Sequence, residues 1–418
     1  MNAYSGNPAA DDAGLHAAGQ DARRRRWLWL GASVVMAVFV LSNSATPLYV
    51  GWQRKFGFSS SVLTVIFVAY IAGLLATLPV AGQLSDRFGR KPVILPGLVL
   101  ALLACALYAL APSVGWLIVA RLLTGIAVGV IVSAGMAAVI DVGGPENRRL
   151  ASLASSVAMV AGAGTGPLLS GLLSITSHEI VREPVTLIFS IQAVILLAAT
   201  CAVWLLPLPR RHPRAKPDAR ALLHLPTVSA GHRHHLLQGV AVFAPGLAAT
   251  SFVLALGPSL LSRLLHVTSP LVAGLMACAM FLAAAGVQFA SKRLQVKQIF
   301  LLGCAATATS MILLLCAVQL ANPILLVVAA LFAGAGQGLG QLGGLTLLSL
   351  HVPDTHRAEA ISLLNMGAYV FAGALPLTIG FVIDNVGLQS GASIFSMVLL
   401  AAAALAAVFV VAQHRRVD

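Results

Sequence analysis

Twelve apolar runs of about twenty residues or more follow one another along the chain. They fall at roughly 27–50, 60–82, 92–111, 114–140, 151–174, 184–207, 236–261, 269–290, 298–319, 322–349, 358–383 and 388–412. An α-helix rises about 1.5 Å per residue, so about 20 residues cross the hydrocarbon core of a bilayer. The runs lack the ten-residue alternation of a membrane barrel. Hydrocarbon supplies no water to backbone N–H and C=O groups, so each run must close its own hydrogen bonds as a helix. Only 9% of the 418 residues are charged, the mean hydropathy is +0.92, and 59% are hydrophobic. A soluble domain carries about 25% charged residues, and this chain in water would bare large sticky patches. The expected fold is all-α and membrane-embedded, with twelve spanning helices.

The formal net charge of +13 could suggest a nucleic-acid partner, but its placement argues against one. Arg23 to Arg26, Arg87, Arg90, Lys91, Arg148, Arg149, Lys292, Arg293, Lys297, Arg357, Arg415, Arg416 and the basic residues between spans six and seven all fall on one side. The other side holds Arg54, Lys55, Arg182 and Arg263. Basic residues mark cytoplasmic loops, so both termini are expected in the cytoplasm, with the chain in the cell's inner (plasma) membrane. The first apolar run is too long for a signal-peptide core.

The longest polar segment divides the chain. The expected organisation is an N-terminal tail at 1–26, a six-helix bundle at 27–207, a basic linker at 208–235, a second bundle at 236–412 and a tail at 413–418. A shift of 209 positions pairs Gly125 with Gly334, Gly129 with Gly338, Arg148 with Arg357 and Pro167 with Pro376. Two related six-helix halves form a transporter plan with the substrate between them. His232, His234 and His235 lie in or beside the linker and read as solvated residues, so no metal is expected. The five cysteines show no ligand spacing and read as buried small apolar residues.

The stretch "GQLSDRFGRK", residues 82–91, concentrates charge between two apolar runs. Its Gly82, Asp86, Arg87, Gly89, Arg90 and Lys91 resemble, in order and spacing, the signature between spans two and three of the major facilitator superfamily. The resemblance implies two pseudo-symmetric six-helix bundles. It places Asp86 near the start of span eleven, where a helix N-terminus favours a carboxylate. Arg87 or Arg90 is expected to pair with Asp141 at the end of span four. The charges then act as a latch between the halves, and the glycines permit tight turning and close helix approach. The second half keeps Lys292, Arg293 and Lys297 without the Asp.

In span four, "RLLTGIAVG" resembles the family's Arg-then-two-glycines motif through Arg121, Gly125 and Gly129, which share one helix face. Arg121 is the one Lys or Arg in the interior of an expected span. An intramembrane charge costs at least about 2.5 kcal/mol and usually faces a cavity. Substrate or proton handling is expected of it, with bonding to backbone carbonyls as the structural alternative. In span five, Gly162, Gly166, Pro167 and Gly171 of "GAGTGPLLSG" resemble the antiporter signature, with Ser170 where the family usually has Gly. That resemblance implies export in exchange for protons, with span five bent and packed tightly against the opposite half. Helix packing without directional meaning is the alternative.

The remaining candidates for a central site are Asn43, Tyr70, Gln337, Gln341, Asn365 and Tyr369. One cation and no midplane acid point to a neutral or anionic organic solute. Exporters of this family often carry an acid in span one. Here "VLSNSATPLY" has Asn43 instead, and Asp141 and Asp384 come nearest the membrane. The leading expectation is a monomeric secondary transporter working by alternating access, exporting a drug or metabolite as protons enter. Proton-coupled uptake of an organic acid or nutrient is the alternative, and a non-transporting membrane sensor is the alternative from another class. No nucleotide-binding GxxxxGK[ST] loop, catalytic triad or metal cluster is present, so neither an enzyme nor a cofactor is expected.

Overall fold

A computed structural model of the chain describes residues 8–144, 146–176, 184–208, 233–291 and 293–414, with side chains from residue 21 onward except 176, 354–358 and 413–414. Almost all of the expected linker lies outside the described residues. So do residues 1–7 and 415–418, with Arg182, His232 and Lys292 and the side chain of Arg357.

Twelve helices among the described residues are long and apolar enough to span a membrane. In chain order they are Asp21–Phe56, Ser60–Phe88, Lys91–Leu110, Val114–Gly143, Arg148–Ile175, Pro184–Leu205, Arg233–Leu264, Pro270–Ala290, Val296–Gln319, Pro323–His351, Glu359–Val386 and Leu388–Ala412, hereafter spans one to twelve. No strand occurs among the described residues. Large apolar side chains such as Val99, Leu110, Val194, Trp204 and Leu405 face outward. In water such a surface would aggregate; against lipid tails it costs nothing.

Several spans run further than the apolar pattern alone suggests. The helix of span one already covers Arg23 to Arg26. Asp21 pairs with Arg25 one turn on at 3.1 Å, and Arg24 reaches Glu146 at 3.2 Å. Span two continues through Gly82 to Phe88, so the charged signature is helical for most of its length. The turn is confined to Gly89, whose φ of 95° suits a residue without a Cβ. Gly82 is therefore a helix residue and Gly89 the turning one. Spans four and seven each contain one π-helical turn, at Ile131–Gly135 and Leu260–Leu264.

The two bundles repeat the same packing. Span two packs on span four as span eight packs on span ten; spans one and five repeat as seven and eleven, and three and six as nine and twelve. Lipid provides no hydrophobic drive between helices, so close backbone approach must do the work. A Cβ on Gly125 would overlap the Tyr70 carbonyl, and one on Gly334 the Met280 carbonyl. Gly129 and Gly338 sit one turn on in the same grooves. Of the five cysteines, Cys105 and Cys304 are buried, but Cys201 is exposed on the outward side of span six and Cys278 and Cys316 are half-buried. The expectation of five buried thiols is corrected on that point.

Gly125→Val is expected to cost at least about 1–3 kcal/mol because backbone, not a mobile side chain, fills the space. Gly286→Ala, where an added Cβ meets nothing within 4 Å, should leave stability unchanged or raise it by up to about 1 kcal/mol. Thermal unfolding of both variants in detergent, followed by tryptophan fluorescence, checks the contrast.

Candidate functional site

The halves meet along two seams, spans five against eight and spans two against eleven. On the first seam Gly171 packs on the Pro270 backbone, Gly274 on that of Pro167, and Gly164 on Cys278. The same face of span five, two and three turns beyond Gly164 towards the other membrane side, presents Val157 and Leu153, each 45% exposed. Span eight exposes Phe289 at that end. On the second seam Gly380 lies against Thr64 and Gly373 against Ile71. Nearer the charged signature, a Cβ on Gly82 would meet only Ser133 of its own half within 4 Å. The halves are thus clasped on the side carrying Asp384 and part towards the side carrying Asp86.

The clasped side holds polar contacts between halves. Ser259 Oγ donates to Gln53 Oε1 at 2.9 Å and Arg54 to Ser262 Oγ at 3.1 Å. The Asp384 carboxylate accepts from Ser60 N at 2.9 Å and Ser61 N at 3.0 Å. Span seven is buried almost throughout, because it runs through this packed region.

Arg121 lies inside the first half. Span one breaks at Thr46–Leu48, where Pro47 and a short 3-10 turn redirect the chain. The redirected Tyr49 offers its hydroxyl to Arg121 Nε, and the Ser42 carbonyl accepts from Nη1. The guanidinium lies 5.2 Å from the Tyr49 ring centre and 5.8 Å from that of Tyr70. A desolvated cation gains about 2 kcal/mol from such a ring, and hydrogen bonds to a charged group about 1.5–3 kcal/mol each. These offset much of the burial. Arg121 is only 1% exposed, and its Nη2 has no hydrogen-bond partner. Stacking of Trp52, Tyr108 and Phe189, with centroids 5.8 and 4.6 Å apart, supports Tyr49 from behind.

The other candidates divide between buried and half-buried positions. Asn43 is buried and donates to Ser42 Oγ at 3.1 Å, which ties it to the Arg121 group. Tyr70 and Tyr369 are half-buried on spans two and eleven, beside the second seam. Gln341 accepts from Gln288 of span eight at 3.4 Å, and the buried Gln337 Oε1 has no partner. Asn365 spends its amide on the Ile361 carbonyl at 3.1 Å. Span ten thus contributes a second polar group that the geometry does not join to Arg121.

The charged signature forms a compact network. Arg90 donates to Asp86 Oδ1 at 2.9 Å, to Asp141 Oδ2 at 2.9 Å and to Ser85 Oγ at 2.8 Å. Lys91 donates to the Trp204 carbonyl at 2.8 Å, and Arg87 covers the Phe88 ring. Arg90 therefore pins the ends of spans two, three and four together. The glycines of span five serve both sides of that helix. Gly162 and Gly166 meet the span-one backbone at Met36 and Val40, while Gly171 faces the other half. The His235 ring lies against those of His234 and His351, with centroids 3.7 and 4.3 Å away and tilted, and no group of three or more metal-ligand residues is arranged to hold a metal among the described residues.

Sequence reasoning passed over Tyr49, Ser60, Ser61, Gln53 and Ser259. Tyr49 was signalled by its place two residues after Pro47, where a helix must break. The serines carry no such signal, because two of them act through backbone N–H groups.

A model of the Major Facilitator Superfamily matches residues 28–294 and again 239–417. The chain is 30% identical over 170 residues to multidrug resistance protein MdtM of Salmonella typhimurium, covering 40% of each. It is 28% identical over 178 residues to multidrug resistance protein 2 of Bacillus subtilis, covering 42% of each. The matched stretches thus span about two-fifths of these relatives. Among solved structures, a bacterial homolog of the human lysosomal transporter Spinster superposes with a TM-score of 0.72 at 16% identity, over 94% of this chain and 97% of that one. The nucleoside transporter NupG gives 0.68 at 15%, over 92% and 98%. Both show the same fold, and the matched model covers both halves: the chain belongs to the Major Facilitator Superfamily.

Proposed function

We propose that the protein exports a small neutral or anionic organic compound across the inner membrane in exchange for protons, by alternating access. The observation that carries this reading is the wedge between the halves, closed at Asp384 and parting towards Asp86, with polar side chains where it narrows. In this reading both termini and the 82–91 signature face the cytoplasm, so the structure is the inward-facing state. The resemblance of two stretches to multidrug resistance proteins supports a drug-like substrate. The positive-inside distribution supports the orientation. Gly82, Asp86, Arg87, Gly89, Arg90, Lys91 and Asp141 form the cytoplasmic latch. Arg90 keeps Asp86 aimed, and the start of span eleven is its seat across the halves.

Arg121 acts on transport by holding the bend of span one, through Tyr49 and the Ser42 carbonyl, against span four. Its Nη2, which has no hydrogen-bond partner, is the part of the guanidinium that meets a substrate or a proton-bearing water as the bundle moves. In this reading Tyr70 of the first half and Tyr369 of the second face the narrow end of the wedge, Asn43 lies behind with Arg121, and Gln337, Gln341 and Asn365 are the polar groups of the second half.

Flux in proteoliposomes with an imposed pH gradient tests the reading across a panel of drugs and organic acids. Counterflow of solute against protons supports export by exchange. Accumulation along a co-directed proton gradient overturns it in favour of uptake, and no flux with any solute overturns transport altogether. Asp86→Asn should slow turnover about tenfold or more, as 1.4 kcal/mol of lost latch energy requires, while substrate binding stays near wild type. Arg121→Lys keeps the charge but cannot reach Tyr49 and Ser42 with a rigid fork. Its flux should fall at least about tenfold, and unchanged flux would leave Arg121 without a part in transport.

A further inference from the structure

Asp384 stands at the last turn of span eleven, and the first turn of span two lies in the other half of the molecule. A helix start leaves its first N–H groups without partners. Here Ser59 caps span two through its hydroxyl, which accepts from Val62 N at 3.4 Å. The next two free donors, Ser60 N and Ser61 N, are each taken by one oxygen of the Asp384 carboxylate. Both oxygens are used, and the helix dipole adds to their hold. Just below, Gly380 allows the two helices to approach at Thr64.

The Ser61 and Ser59 hydroxyls add to this hold on Asp384 from the same end of span two. On span two, the Ser59 and Ser61 hydroxyls bond to each other at 2.7 Å. On its own helix, Asn385 donates to the Phe381 carbonyl. Gln389 of span twelve donates to Gln319 of span nine. The charged and titratable groups of this membrane side among the described residues are Arg54, Lys55, Arg263 and His266. Arg54 bonds Ser262 and Lys55 lies over Phe56. None of the four is within 4.0 Å ion-pair distance of Asp384. The other seam offers no equivalent. A shift of 209 positions carries Ser60 to Ser269 and Asp384 to Ile175, and that seam closes by glycine packing at Gly171 and Gly274.

We propose that the Asp384 carboxylate seated on the start of span two is a proton-released gate on this side of the membrane. The ionised carboxylate accepts from both N–H groups. A proton on either oxygen puts a donor against a donor, cancels the charge that the helix end attracts, and lets the ends of spans two and eleven part. The proton comes from water on that side and returns to it when the gate recloses. The gate therefore sets when the side opens and carries no charge across. This inference rests on the alternating-access reading.

The test uses the full chain in nanodiscs, with spin labels at the exposed Lys55 and Gln389 and pulsed dipolar distance measurement. Lowering the pH from about 7 to about 3, through the ordinary aspartate value of about 3.9 and below it, where a carboxylate held by N–H groups takes up its proton, should raise the long-distance fraction several-fold in the parent. Asp384→Asn should hold that fraction high at every pH. Ser60→Pro removes one donor without touching the carboxylate, at a first helical position that accepts proline, and should shift the parent response towards higher pH. An Asp384→Asn response equal to that of the parent, or an Asn variant closed at every pH, overturns the gate. The distances need no substrate. A pH-dependent distance with no flux in liposomes would therefore sink the transport reading alone, and flux with a pH-insensitive distance would sink the gate alone.

Discussion

Hydrocarbon has no hydrogen-bond partner to lend, and almost every feature of this protein follows from that. Backbone groups must pair within their own helix, so the spans are helices. Helices in lipid gain little from burying apolar side chains against one another, so they hold by close contact, at glycines where carbonyls can touch. Gly125 against Tyr70 and its counterpart Gly334 against Met280 are the same solution used twice. Polar groups then survive inside a half only where something answers them. Arg121 is kept by a tyrosine hydroxyl, a backbone carbonyl and two aromatic faces, in place of a carboxylate.

That answer depends on a broken helix. Beside the break, Tyr49 and the Ser42 carbonyl both accept from Arg121. The polar run from Ser42 to Thr46, followed by Pro47, weakens the helix enough to turn the chain and aim the hydroxyl. The cost of bending span one is met by the cost avoided at Arg121, so the two features stabilise each other. A link of this kind ties the position of span one to that of span four. Any rearrangement of the halves then moves the Arg121 group as a unit with the rest of its bundle.

The sequence was most legible where one residue type has one physical use. Apolar length revealed the twelve spans, and the spacing of Gly82, Asp86, Gly89 and Arg90 revealed the signature. Its helical extent was less legible, because charges at 86 and 87 look like a loop until Arg90 is seen to answer Asp86, and Arg87 to cover Phe88, at the helix end. The pairing of Arg90 with Asp141 could be anticipated from opposite charge at adjoining span ends. The Asp384 contact could not. Its partners are backbone N–H groups of Ser60 and Ser61, present in every residue but proline, and only the packing of two distant helices makes them available. Arg121 was visible as an anomaly, but its partner Ser42 acts through a carbonyl and leaves no side-chain signature.

Spans two and eleven carry the same chemistry at both ends with the roles exchanged. At one end the carboxylate of span eleven sits on the start of span two. At the other, the proposed latch brings the carboxylate of span two, Asp86, to the start of span eleven. Each contact is a charge on a helix N-terminus, worth roughly 0.3–1 kcal/mol when exposed and up to about 2 kcal/mol when partly buried. Rigid helices that rock about a contact near Ile71 and Gly373 lengthen one end as they shorten the other. The two contacts then compete, and neither is strong enough to trap the molecule. A difference of about 1.4 kcal/mol between them shifts the populations tenfold, which is within reach of a single proton at Asp384 or of one substrate in the wedge.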